Sequence, residues 1–329
     1  MAAVVVLAVV LPLTAALALR LQYAGTPSAD AVTRGRDALW LGHSWVDGRK
    51  TPADATRLAA TLRDTGVRDL YVHVGPLDEH GLDPVLRPRS VQLVRALHRA
   101  LPSVRVLAWV GGVVGPGELD LDRPSVRDVV AAAAQQVLRD GFDGVHYDLE
   151  PVGSGDQGLL ALLEATRAGP SALLSVAAPQ LEPVPGWAGA AAIGPGVGTR
   201  WSADYLAAVA RRVDQVVVMA YDTGLPLESL YGGYVARQTR LALRAVPAST
   251  DLLIGVPAFH DENPGHHAAA ETVAAALRGV RLGLADDQAR ARFGVALYVD
   301  FAATDADWRD YRADWGVRAA AGRPQPAPR

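Results

Sequence analysis

From residue 37 onward, short runs of apolar and β-branched residues alternate with longer stretches whose apolar positions recur at helical spacing. The strand-like runs fall at 38–45, 70–75, 104–111, 144–150, 172–179, 215–221, 252–259 and 295–301. Runs such as VRVLAWV (104–110) and VVVMA (216–220) carry almost no polar position, as suits parallel strands buried on both faces. The intervening segments carry helix-start signals. Thr51 precedes Pro52 and stands three residues before Asp54. Ser125 and Asp128 repeat that spacing, and Ser202 opens an alanine-rich stretch ending at Arg211 and Arg212. Eight such strand–helix units between 37 and 318 predict a single (β/α)8 barrel. A doubly wound sheet is the structural alternative, but no glycine-rich phosphate turn follows the first strand.

The remaining chain reads differently. Residues 2–19 form an uncharged apolar run, so 1–24 are expected to be a cleaved signal peptide or an uncleaved single-span anchor on an α/β barrel. Residues 25–36 are read as a linker and 319–329, rich in proline, as a disordered tail. The expected location is outside the cytoplasm, free or anchored to the outer face of the cytoplasmic membrane. Membrane contact is expected only through the N-terminal segment, and the barrel is expected to be a monomer.

Composition narrows the chemistry. In 329 residues, 50% are hydrophobic and 20% charged, which excludes bulk disorder. Basic residues number 32 and acidic ones 35, a net charge of −3 that offers no reason for a nucleic-acid partner. The absence of cysteine excludes disulfides, thiolate metal sites and thiol nucleophiles.

The segment GFDGVHYDLEP (141–151) carries the chemistry. Side chains alternate along a strand, so His146, Asp148 and Glu150 share a face that can point into a closed barrel. Glu150 lies nearest the strand's C-terminal end, where barrels build their sites. Two carboxylates in apolar surroundings repel and lose solvation. One is expected to stay protonated near neutral pH and the other ionised, the division an acid catalyst and an electrostatic stabiliser require. The alternative is a solvated pair at the loop mouth, tied to arginines.

These residues resemble the fourth-strand D-x-x-D-x-D-x-E motif of glycoside hydrolase family 18, the chitinase-like family. Asp143, Asp148 and Glu150 match, and His146 stands where the family has its middle aspartate. Met219-Ala220-Tyr221-Asp222 resembles the family's M-x-Y-D strand, LLSVAAPQ (173–180) its fifth strand and LLIGVPAF (252–259) its Gly-x-Pro strand. The resemblance runs from about residue 38 to 317. It implies hydrolysis of β-linked N-acetylglucosamine glycans in which the substrate's own 2-acetamido oxygen attacks the anomeric carbon. Glu150 would be general acid and then base, Asp148 would orient the acetamido group, and Tyr221 would donate to its oxygen. Asp222 would line the sugar site and Asp143 would support the strand. His146 would hydrogen-bond Asp148.

Trp45, Trp109, Tyr298 and Met219 are the candidate sugar contacts, with Trp40 and Trp187 the other tryptophans considered. His260, His266 and His267 cluster with Asp261 and Glu262 without a metal-ligand spacing, so no metal and no cofactor is expected. The competing readings are a catalytically weak or inactive glycan-binding, lectin-like barrel, and a metal-dependent hydrolase whose histidines would have to converge at the mouth.

Overall fold

The computed structural model describes residues 2–169, 172–183, 199–286 and 290–316. The predicted tail at 319–329 and Trp187 lie outside the described residues. The strands are β1 (Asp37–Leu41), β2 (Val67–Asp78), β3 (Gly81–Leu82), β4 (Arg105–Val113), β5 (Gly144–Glu150), β6 (Leu173–Ala178), β7 (Gln215–Met219), β8 (Asp251–Pro257) and β9 (Phe293–Tyr298). Every sequential pair except those involving β3 is parallel. β2 pairs directly with β4, and β1 pairs with both β2 and β9, which closes an eight-stranded barrel. β3 is a two-residue antiparallel return against the end of β2.

Helices α2 (Pro52–Thr61), α3 (Ser90–Ala100), α4 (Pro124–Arg139), α5 (Gln157–Arg167), α6 (Ala203–Ala210), α7 (Glu228–Ala245), α8 (Val273–Gly283) and α9 (Asp305–Asp314) follow the barrel strands in turn and ring them. α2 begins with the expected capping box: the Thr51 amide donates to Asp54 at 2.8 Å. Ser202 caps α6 by accepting from the Tyr205 amide. Ser125 does not cap α4. That helix starts one residue earlier, at Pro124, because proline suits the first helical position, and this puts Ser125 inside the first turn.

Two apolar layers result. The larger lies between strands and helices. The smaller fills the barrel with Trp40, Tyr71, Leu107, Val217, Leu253 and Ala296. The N-terminal end of the barrel is closed by polar pairing. Asp69, fully buried, accepts from Arg105 Nε at 2.7 Å and Nη2 at 2.8 Å and from Gln215 Nε2 at 2.7 Å. Tyr71 donates to Gln215 at 2.6 Å. Pairing on this face reads as stability rather than catalysis.

β1 stops at Leu41, and His43–Trp45 form a 3-10 turn. The sequence had carried this strand on to Trp45; the break turns that side chain away from the mouth. The stretch read as a linker packs against the barrel. Ala31 is buried, and the Thr33 amide donates to the Trp315 carbonyl at 2.8 Å.

The apolar N-terminal run forms helix α1 (Ala2–Tyr23), whose last turns lie across α7 and α8. Among the described residues, no helix is long and apolar enough to cross a membrane. Gly232 and Gly233 of α7 allow the close approach: a Cβ at the first would overlap the Tyr23 ring, and at the second the Leu19 carbonyl. Arg278 lies over the Tyr23 ring at 4.9 Å and donates to the Gly25 carbonyl at 2.8 Å. Gly233→Val should therefore expel α1 from its seat. Limited proteolysis should cut the variant after residue 20 at least tenfold faster than wild type, with barrel circular dichroism unchanged.

Candidate active site

β5 delivers its side chains in alternating directions. His146 lies inside the barrel, stacked on Tyr71 with ring centroids 3.9 Å apart and an interplanar angle of 7°, and edge-on to Trp40 at 5.5 Å. Its Nδ1 lies 2.8 Å from Ser175 Oγ on the neighbouring β6. The expected bond from His146 to Asp148 is not formed, because the imidazole is held sideways by Ser175 and the stack. Burial without a charged partner pushes its pKa down to about 3, so it is neutral.

Asp148 stands one strand step higher. Its Oδ2 accepts from Trp109 Nε1 of β4 at 2.8 Å, while its buried Oδ1 has no hydrogen-bond partner among the described residues. Burial pushes its pKa up to about 6, with the Trp109 bond opposing the rise. Glu150 ends the strand at the rim. Loss of solvation, then the charges of Asp148 and Asp222, raise its pKa to about 7. Both carboxylates are thus shifted, and Glu150 more in absolute position, so the half-protonated group at neutral pH is the one nearest the opening.

Glu150, Met219, Tyr221 and Asp222 line one cleft of about 400 Å³ with Val113, Pro151, Pro179, Gln180 and Thr199. Tyr221 is almost fully buried and stacks on Tyr298 at 5.5 Å, and burial raises its hydroxyl well above its usual pKa, so it remains a donor. Gly255 of β8 makes room for it: a Cβ there would lie 2.9 Å from the Tyr221 ring. This is a physical reason for the glycine in the Gly-x-Pro strand. Asp222 takes a left-handed backbone conformation (φ 56°), which turns the chain sharply after β7.

The other candidates separate. Trp109 and Tyr298 face each other edge-on at 5.9 Å above the barrel interior. Trp45 is buried and donates to Asp300 at 2.7 Å, in a hollow beside α2 and α9 rather than in the cleft. Asp143 points outward, accepting from the Val106 amide at 2.7 Å and facing His98 at 2.8 Å, where it ties β4 to the start of β5.

Sequence reasoning missed Gln180 and Glu271, and it singled out His266 only as one of three clustered histidines. Gln180 donates to the Tyr221 carbonyl at 2.7 Å and accepts from Tyr234 at 2.7 Å, which fixes the strand end that carries Tyr221. Glu271 and His266 flank Asp222: His266 Nδ1 lies 3.1 Å from Asp222 and 3.5 Å from Glu271. The histidines of that loop do not converge. His260 pairs with Asp307 at 3.0 Å and His267 with Glu262 at 2.7 Å. Among the described residues, Asp222, His266 and Glu271 are the group whose donor atoms, all within 4.8 Å of one another, lie close enough to hold a metal ion. Glu271 already accepts from the Thr223 amide and hydroxyl and the Gly224 amide. Burial lowers the His266 pKa, but the two carboxylates outweigh it and raise it to about 9. Both ring nitrogens of His266 are buried and make no hydrogen bond among the described residues, so Nδ1 meets the two carboxylates at 3.1 and 3.5 Å through charge rather than through a hydrogen bond.

No protein-family model and no curated protein matches the chain. Solved structures do. The spore cortex-lytic enzyme SleL of Bacillus cereus superposes with a TM-score of 0.60 at 14% identity, covering 89% of this chain and 76% of that one. A class V chitinase from Cycas revoluta, solved as a mutant in complex with (GlcNAc)3, gives 0.57 at 15% identity, covering 85% and 99%. The class V chitinase of Nicotiana tobaccum gives 0.54 at 15%, with coverage of 85% and 99%. This chain has the barrel fold of those proteins.

The neutral, buried His146 gives one measurable consequence. The unfolded imidazole titrates near 6.5 and the folded one near 3. The unfolded state therefore binds the proton first, and stability is lost as pH falls from 6.5 toward 3. His146→Gln should melt below wild type at pH 7, and the difference in Tm should shrink steadily by pH 4.

Proposed function

We propose that the protein is a glycoside hydrolase acting on glycans that contain β-linked N-acetylglucosamine, by the substrate-assisted route. The observation that carries this reading is the open Oδ1 of Asp148: a buried carboxylate oxygen without a donor, beside a cleft that also holds a half-protonated Glu150 and the Tyr221 side chain. A buried acceptor left unpaired is costly. An acetamido N–H entering the cleft would satisfy it and would leave the acetamido oxygen facing the anomeric carbon. The shared fold with chitinases and a cortex-lytic enzyme supports the same class of substrate.

Glu150 protonates the glycosidic oxygen as the leaving group departs. The acetamido oxygen closes onto the anomeric carbon to form an oxazolinium ion, so no enzyme nucleophile is needed. Asp148, ionised at neutral pH, holds the acetamido N–H and offsets the positive charge that develops. The Tyr221 hydroxyl donates to the acetamido oxygen, and Trp109 keeps Asp148 in place. Glu150, now a carboxylate, draws a proton from the water that opens the oxazolinium ring with net retention. The apolar N-terminal run supports export, so that the enzyme would meet such glycans outside the cytoplasm.

Hydrolysis of an aryl glycoside of a short N-acetylglucosamine oligomer should fall by about 10²–10⁴-fold in Glu150→Gln. Equal rates in variant and wild type would sink the assignment. The same variant should melt above wild type at pH 8, because ionised Glu150 is disfavoured by the fold. That gain should vanish below pH 4.5, where the group is protonated in both states.

In wild type, kcat/KM should decline above about pH 7 as Glu150 loses its proton. Removing the negative charge of Asp222 eases that ionisation, so Asp222→Asn should move the basic limb to lower pH, read from the full pH–rate profile.

A further inference from the structure

Asp222 is an exposed acidic residue of the cleft, on a chain that turns through a left-handed residue, yet it sits against a histidine with no solvent exposure. His266 belongs to the loop after β8, stacks on Phe259 at 4.2 Å and is held by two reciprocal backbone bonds with Asn263, each 3.0 Å. Beyond it, Glu271 is buried and grips the other side of the same turn through the Thr223 amide at 3.0 Å, the Thr223 hydroxyl at 2.9 Å and the Gly224 amide at 3.1 Å. A backbone bond from Gly224 to Gly265, 2.7 Å long, joins the two loops beside it.

We propose that His266 is a positioning residue that clamps the turn bearing Tyr221 and Asp222 to the loop after β8 and aims the Asp222 carboxylate into the cleft. The role at the sugar rests on the glycosidase reading; the clamp itself does not. Three features support it together. The imidazole turns one nitrogen, Nδ1, toward two carboxylates of different standing, Glu271 fixed by backbone donors at 3.5 Å and Asp222 open to the cleft at 3.1 Å. Its burial makes an uncompensated neutral ring beside two anions unfavourable. No other basic side chain is paired with Asp222 or Glu271 among the described residues.

The groups facing His266 set its charge. From the turn after β7 it meets Asp222, from the segment before α8 Glu271, and from its own loop Glu262. From α7, Tyr231 faces the same two carboxylates and stays protonated. The folded imidazole titrates near 9 and the unfolded one near 6.5. The stabilisation is complete below pH 6.5 and is lost as pH rises through 9.

The test measures wild type and His266→Gln in parallel. KM for the oligosaccharide should rise about tenfold with kcat falling less, since Asp222 is misplaced while Glu150 and Asp148 are untouched. The gap in Tm should be widest at pH 6 and close above pH 9. A gap independent of pH would reduce His266 to packing and overturn the proposal. If the variant fails to fold, NMR titration of the wild-type imidazole decides: a midpoint near 9 supports the clamp, and one at or below 6.5 overturns it. Zinc bound stoichiometrically by wild type in equilibrium dialysis would make the cluster a metal site and would also overturn it. Should wild type hydrolyse no glycan at all, the glycosidase reading fails by itself, and the Tm gap and the titration still decide the clamp.

Discussion

Closing the sheet on itself puts the inward side chains of β5 in a space water cannot fill, and the chemistry of the cleft follows from that confinement. The barrel interior at this level is a plug of Trp40, Tyr71 and His146, stacked closely enough to leave the groups above it without solvent beneath. Asp148 rests on this plug, so its charge is opposed by desolvation and relieved only by the Trp109 N–H. Glu150 feels both the edge of the dry zone and the charge of Asp148 below it. The gradient from a buried floor to an open rim orders the two carboxylates and leaves the outer one with the higher pKa, as the proposed role of proton donor requires.

That floor needs the barrel to be closed tightly at the opposite end. Asp69, Arg105, Gln215 and Tyr71 form a continuous network across β2, β4 and β7, and the Tyr71 hydroxyl belongs to it while the Tyr71 ring supports His146. One side chain thus links the ion-paired base to the aromatic plug. Asp37 plays a similar part near the chain's entry: it accepts from Tyr311 and Trp315 of the last helical segment and from the Val295 amide, which ties β1 to β9. Both networks stand at the N-terminal ends of the strands, away from the cleft, on the face that in barrels of this kind serves stability.

The strands were readable in the sequence because parallel strands covered on both faces leave apolar runs bounded by turns, as at 216–220. Their ends were less so. Trp45 was assigned to the mouth because nothing in DALWLGHSW marks where the strand stops, whereas the structure breaks it at Gly42 into a 3-10 turn. β2 runs further than expected, to Asp78, where Leu77 is both buried and paired with Leu82 of the β3 return. Within the cleft, Asp148 and Glu150 followed from strand parity. The cluster of Asp222, His266 and Glu271 did not, because its members sit on two loops whose approach depends on the turn after β7. A histidine-rich loop was visible, but which histidine faces a carboxylate is a property of the closed barrel alone.

The histidine in place of the resembling family's middle aspartate now has a physical meaning. An aspartate at that position could share a proton with its neighbour and so vary the neighbour's charge. His146 has no such part: it is neutral, bound to Ser175 and fixed by stacking. Asp148 is therefore left with one partner, Trp109, and one open oxygen. Since no proton reaches it from below, the charge on Asp148 is open to compensation only from the cleft side, which in the proposed mechanism is the work of the acetamido N–H and of the positive charge developing beside it. In the proposed mechanism Asp148 is accordingly a fixed acceptor and has no part in a movable proton relay. It also shifts the task of tuning Glu150 toward Asp222, the other negative group within its reach, and so toward whatever holds Asp222 in place.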